Sequence, residues 1–337
     1  MSMVRRIRIV VIASSVLLLG ICLFALMYGS YSMGVQDVLN TLIFGGNKSE
    51  RLAIWGIRLP RTLVAIFVGA ALSASGCIMQ GVTHNPLAEP GIIGINAGAT
   101  FAVVTFISLS SEAYYSALGT GTLLLTPLVS IFGAFTAALV IFLLSRRAGK
   151  AAPNRLVLVG VGVGIAISAV TTLMQLSMSK GNYNQALTWT NGSLWGTGFL
   201  YLVMIAPLTI TIFAVLIYKS KTLDVIGLGD DIAVGLGVNV EKERKVFLAL
   251  AVLLAAGATA VAGNITFVGL VGPHIAQRLV GPSHKRKLPV AAVISACLIV
   301  LADTLARNLF SPLEIPVGIV ISLIGVPYFI YLMLKEK

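Results

Sequence analysis

Charge is scarce in this sequence. Of 337 residues, 11% are Asp, Glu, Lys or Arg and 57% are apolar, whereas a soluble domain carries roughly 25% charge. With a mean hydropathy of +0.96, a water-soluble fold would lack the polar residues to cover itself, and a sizeable soluble domain has no room. Cysteine is as sparse: Cys22, Cys77 and Cys297 sit singly in apolar runs, without the spacing of a metal or redox site. His84, His274 and His284 are far apart and close to the ends of apolar runs, where they read as contacts at helix termini. No nucleophile elbow, zincin helix or Walker A loop is present. The Gly149-Lys150 pair has Leu144 in place of the first P-loop glycine and Ala151 in place of Ser or Thr. The expectation is a chain with no catalytic residue, no metal, no cofactor and no ATP site of the P-loop type.

Acidic residues are also missing from the middle of the apolar runs. Glu89, Asp303 and Glu314 lie near run ends, which argues against an ion-coupled secondary transporter, because such proteins place ionisable relays at mid-membrane. No polar catalytic pair suggests an intramembrane enzyme. The positive charge, 24 Lys and Arg against 12 Asp and Glu, falls in short clusters between apolar runs. It therefore reads as membrane orientation rather than nucleic-acid binding.

What is present is a series of apolar runs. The first, residues 7–28, follows Arg5, Arg6 and Arg8 and is longer than the apolar region of a signal peptide; it reads as a retained span with its amino end inside. Further spans are expected over 62–81, 91–109, 123–144, 156–178, 194–218, 247–263, 265–279, 290–306 and 317–334. The division at Gly263–Asn264 rests on charge parity: Lys242, Arg244 and Lys245 precede this stretch, Lys285, Arg286 and Lys287 follow it, and two spans keep both clusters inside. Only Lys48, Arg51, Arg58, Arg61, Lys180 and Arg307 then fall outside, as the positive-inside rule favours. The expected fold is an all-α polytopic membrane protein: ten transmembrane helices in one bundle, a single domain over 1–337, both termini cytoplasmic. Gly69 and Ser73, Gly133 and Ala137, and Gly160 and Gly164 each share a helix face, predicting close helix packing.

Several segments break the apolar pattern. Arg58-Leu59-Pro60-Arg61 opens the second span. Asn85-Pro86-Leu87-Ala88-Glu89-Pro90-Gly91 forms an inner turn that runs on to Gly94, Asn96, Gly98 and Ala99. Leu228-Gly229-Asp230-Asp231-Ile232-Ala233-Val234-Gly235-Leu236-Gly237 lies in a long cytoplasmic loop, about 222–245. There, Asp230 and Asp231 suit the start of a short helix, and Gly235 and Gly237 suit its end. Phe267 to Arg278 contains Pro273 and His274, with Pro273 expected to kink a short span. Downstream come Ala302-Asp303-Thr304-Leu305-Ala306-Arg307 and Glu314-Ile315-Pro316-Val317-Gly318. Ser168, Thr171, Thr172 and Gln175 form one polar stripe on a helix.

Together these motifs resemble the permease subunits of the iron-siderophore and cobalamin family of ABC importers, from about Gly34 to Leu334. The departures are Gly272 and Gln277, where Ala and a second Arg are expected, and Ile315 in place of Leu. The resemblance implies a bacterial cell-membrane permease for iron-siderophore uptake, with cobalamin or haem as alternative cargo on the same scaffold. It also implies ten helices per subunit, ATP-binding subunits beneath, an extracytoplasmic binding protein, and a second permease subunit, homologous or identical. It assigns the segment with Leu228, Gly229, Asp230, Asp231, Ala233, Gly235 and Gly237 to ATPase coupling. It assigns Arg58, Arg61 and Arg307 to docking of the binding protein, and Ser168, Thr171, Thr172 and Gln175 to the translocation path. Asn85, Pro86, Glu89, Pro90, Pro273 and His274 are expected to serve structure or gating.

Overall fold

The computed structural model describes residues 3–29, 31–91, 93–109, 120–147, 150–151, 153–311 and 313–335. The helices are α1 (Met3–Met27), α2 (Val35–Phe44), α3 (Lys48–Thr83), α4 (Ile95–Leu109), α5 (Thr120–Ser145), α6 (Pro153–Leu176) and α7 (Lys180–Asn191). They continue as α8 (Phe199–Tyr218), α9 (Ser220–Ile226), α10 (Asp230–Gly235), α11 (Val240–Ala262), α12 (Val268–Val280), α13 (His284–Asn308) and α14 (Val317–Lys335). A two-residue antiparallel ladder, Arg146–Arg147 against Lys150–Ala151, joins α5 to α6.

The all-α polytopic expectation stands, and the count of spans is corrected. Among the described residues, eight helices are long and apolar enough to cross a membrane: α1, α3, α5, α6, α8, α11, α13 and α14. The other two expected spans are short. α4 has 15 residues and α12 has 13, about 22 and 20 Å at 1.5 Å per residue, less than the roughly 30 Å of hydrocarbon. Each is preceded by irregular chain, residues 84–91 with 93–94 and residues 263–267, of which the expected spans took in only the last part. The apolar pattern also missed α7, capped by Ser179, whose side chain accepts from Asn182 N.

The core gathers around α3. From Pro60 to Thr83 this helix is almost wholly buried, whereas α1, α6 and α8 keep broad apolar flanks exposed. Small residues decide how close its neighbours come. A Cβ on Gly69 would lie 2.7 Å from the backbone oxygen of Ser295 in α13. Gly76 lies against the Gly269 carbonyl of α12, the carbonyl that Pro273, lacking an N–H, leaves without its helical donor. The other two predicted faces meet partners as well: Gly133 packs on Gly98 of α4, while Gly160 and Gly164 admit the backbone of Ile93 and Gly94.

The ends of α3 follow from its sequence. Leu52–Arg58 winds as a π-helix before the α-helical register resumes at Leu59. His84 closes the helix in the left-handed region at φ 52°, and Asn85-Pro86 disfavours any continuation. His84 Nε2 then lies 2.7 Å from the Ile226 carbonyl oxygen of α9.

The α3–α13 crossing yields a first prediction. Gly69→Leu forces these backbones apart, at a cost of about 1–3 kcal/mol for overpacking. Thermal unfolding of the purified protein in detergent is expected to show a clear fall in Tm, while the same change at Gly20, where a Cβ meets nothing within 4 Å, leaves Tm near wild type.

Candidate functional site

Three regions carry polar chemistry: the Arg58–Arg61 turn of α3, the segment α9–α10, and a polar face on α6.

At the Arg58–Arg61 turn, the two arginines diverge rather than share a face. Arg58 is buried and closes the end of α1, donating from Nη1 to the carbonyls of Leu26 (2.6 Å) and Met27 (3.2 Å) and from Nη2 to that of Tyr31. Such groups are the orphan acceptors of a helix C-terminus. Arg61, also buried, grips Asp303 of α13 from Nε (3.0 Å) and Nη2 (2.8 Å) and reaches Glu314 from Nη1 (3.0 Å). Asp303 therefore pairs with Arg61 and not with Arg307 one turn away. Arg307 donates to the Ala25 carbonyl, and its buried Nε has no partner. Three guanidinium groups thus surround two carboxylates, and one positive charge is in surplus.

In the α9–α10 segment, α10 starts after Gly229 at φ 115°, and Gly237 at φ 82° follows it, conformations that suit glycine. Asp230 pairs with Arg244 of α11 at 2.5 Å. Ala233 is fully buried, so it seats α10 on the bundle and is not itself part of the outer surface. The exposed positions are Leu228, Ile232, Val234 and Leu236, each more than half accessible. Within this segment, Ile232, Val234 and Leu236 were overlooked as site residues. Their signal is an apolar cluster in a loop that otherwise reads as solvated.

Asp224 ties α9 to the first turn of α13. Its carboxylate accepts from His284 N (2.7 Å) and Ser283 Oγ (3.1 Å), and one oxygen lies 2.6 Å from His284 Nδ1. Burial pushes the Asp224 carboxyl up, but the hydrogen bonds and charge of His284, with Ser283, outweigh it and hold the group below its ordinary value. Gln277, where the resemblance leads one to expect arginine, accepts from Lys287 Nζ at 2.9 Å.

The stripe on α6 divides. Thr171 and Gln175 turn inward, and Gln175 Nε2 donates to Thr190 Oγ1 of α7 at 2.7 Å. Ser168 and Thr172 are exposed and line a cavity of about 540 Å³ with Gly91, Gly164 and Asn264. Asn264 also lines a second cavity, with Asn191, Thr266 and Ser322. Its Oδ1 accepts from Asn96 Nδ2 at 3.3 Å. Beside it, Glu89, almost fully buried, accepts from Phe267 N at 3.0 Å and so caps the start of α12. Pro86 and Pro90 belong to the segment carrying Glu89, and Asn85 Oδ1 accepts from Leu87 N at 2.9 Å. His274 packs edge-on against Tyr328 of α14, centroids 5.9 Å apart.

A second prediction concerns Asp224. Its carboxyl is depressed in the fold, so its stabilisation is present above the ordinary carboxylate value of about 4 and is lost as pH falls through the folded value. Asp224→Asn is expected to lower stability at pH 7 by about 1–2 kcal/mol. Thermal unfolding across pH should show the two proteins converging below about pH 4.

The comparisons with known proteins agree with this architecture. The profile of the FecCD transport family matches residues 16–335. The iron(3+)-hydroxamate import system permease protein FhuG of Bacillus subtilis (strain 168) is 42% identical over 334 residues, 98% of each chain. The hemin transport system permease protein HmuU of Yersinia pestis is 36% identical over 329 residues, 94% of each. A solved inward-facing conformation of a metal-chelate type ABC transporter superposes with a TM-score of 0.83 at 28% identity, covering 96% of this chain and 98% of that one. A polytopic bundle with its broken helices, polar face and apolar cytoplasmic segment thus matches these proteins along nearly its whole length, and the chain belongs to the FecCD transport family.

Proposed function

We propose that this chain is the transmembrane permease subunit of an ABC importer for iron(III)-siderophores, with hydroxamate chelates as the cargo class. The observation that carries this reading is the end-to-end likeness to a permease named for iron(3+)-hydroxamate import. The chain is a multi-pass inner-membrane transport subunit and not an enzyme. FecCD-like permeases work with ATPase and substrate-binding partners, and this chain takes the same partners together with a second permease. Haem is the competing cargo, favoured by the likeness to a hemin permease.

The parts follow from their surfaces. The exposed Leu228, Ile232, Val234 and Leu236 form an apolar patch on the cytoplasmic side, fit to be covered by the ATPase, with Ala233 and the glycines holding its shape. Arg58 and Arg307 are docking groups for carboxylates of the binding protein. Neither has a carboxylate partner within the cluster, and Arg–carboxylate pairing is geometrically specific. Arg61 belongs to the same site but is already neutralised by Asp303 and Glu314, so it positions the others. Ser168 and Thr172, with Asn264, line the translocation path where two permeases meet. The chain passes the membrane ten times in one domain, residues 84–94 and 263–267 completing the passes that α4 and α12 begin.

Two measurements test this. Single cysteines at Lys180 and Lys285 separate the topologies: Lys180→Cys is expected to react with a membrane-impermeant thiol reagent in intact cells, and Lys285→Cys is expected to be protected. Reaction at both positions would reject ten passes. For function, uptake of radiolabelled ferric hydroxamate by a deletion strain carrying the wild-type gene is expected to exceed that of ferric citrate or haem. Val234→Asp should abolish uptake while binding-protein association persists, and Arg58→Glu with Arg307→Glu should abolish both. Preferred uptake of haem would replace the cargo assignment.

A further inference from the structure

Between α9 and the inner ends of α3, α12 and α13 lies a cavity of about 540 Å³ whose rim includes Gly227 and Leu228. Its walls carry hydrogen-bond donors without acceptors to match. Lys287 is 2% exposed, and its ammonium contacts two neutral amide oxygens, Gln80 Oε1 at 3.0 Å and Gln277 Oε1 at 2.9 Å. Among the described residues, no carboxylate stands within ion-pair distance of it. Because Lys287 holds the oxygen end of the Gln80 amide, the nitrogen end is left over. Gln80 Nε2 is buried and has no partner.

His284 stands on the same wall. Its Nδ1 is engaged by Asp224, and its buried Nε2 has no partner. Asp224, the one acidic side chain on the wall, is committed to Ser283 and His284. A buried ammonium without a counter-charge is costly. N–H donors left short of acceptors in a site of low dielectric favour a ligand that brings acceptor oxygens.

We propose that this cavity binds a small cytosolic oxyanion of the phosphate or carboxylate class, held by Lys287 Nζ and Gln80 Nε2. The site adjoins the segment assigned to the ATPase but does not depend on that assignment. An ATPase carboxylate could supply the same chemistry, so the test uses the full-length permease without its ATPase, in nanodiscs of phosphatidylcholine. Thermal unfolding is followed while inorganic phosphate is titrated against chloride at matched ionic strength. Wild type is expected to gain Tm with phosphate, saturably, and not with chloride. Lys287→Met should weaken the apparent phosphate affinity about tenfold or more. Gln80→Glu, which gives Lys287 an internal carboxylate, should raise Tm in chloride and abolish the phosphate response; it also serves if Lys287→Met does not fold. A wild type that shows no phosphate-specific gain, or a gain that persists undiminished in both variants, overturns the proposal.

Discussion

Backbone that leaves helical geometry inside a membrane protein must find its hydrogen bonds within the protein. Two segments here, 84–94 and 263–267, leave it before the short helices α4 and α12, and they satisfy each other. Glu89 caps α12 by accepting from Phe267 N, and Asn96 of α4 donates to Asn264 Oδ1 and the Ile265 carbonyl. Neighbouring helix ends complete the set: Asn264 N donates to the Trp189 carbonyl of α7, and Gly318 N of α14 donates to the Gly192 carbonyl. Gly192, Gly263 and Gly318 leave room for these backbones to meet. The polar cavities on either side of Asn264 exist because this crossing places amide and hydroxyl groups where an unbroken helix would place apolar ones.

Helix α13 links the two faces of the molecule. Its first turn is held by Asp224 of α9, and its last turns carry Asp303, bound to Arg61, and Arg307, bound to the end of α1. Along its length it packs closely on α3 and α12, where Gly69 of α3 and Gly272 of α12 admit Ser295. A buried pair such as Arg61–Asp303 costs more to break than to keep, and close-packed helices shift as units rather than deform. The α9–α10 segment and the arginine cluster are thus attached to opposite ends of one stiff element.

Much of this was legible in the residues. Composition determined the membrane class, because too few polar residues exist to coat a soluble fold. Glycine and small-residue spacing marked the faces at Gly69, Gly133 and Gly160, since only small side chains let helices approach in lipid. The Asp230–Gly237 segment was readable as a short helix from its acidic start and glycine stop. The two short helices were not legible as short. Apolarity fits a half-length helix joined to buried irregular chain as well as a full span, and hydropathy does not report where backbone hydrogen bonds end.

The sequence by itself determined the membrane class and the family resemblance, each a property of residue type and order along the chain. Tertiary structure decided the partners. Asp303 lies four residues from Arg307 in the chain yet pairs with Arg61, 242 residues away. Ala233, in the middle of an exposed loop sequence, is the buried side of its helix. Lys287, counted with the orientation charges of its cluster, is enclosed between Gln80 and Gln277. Such pairings depend on the rotation and depth of each helix, which packing sets and which one-dimensional periodicity leaves free.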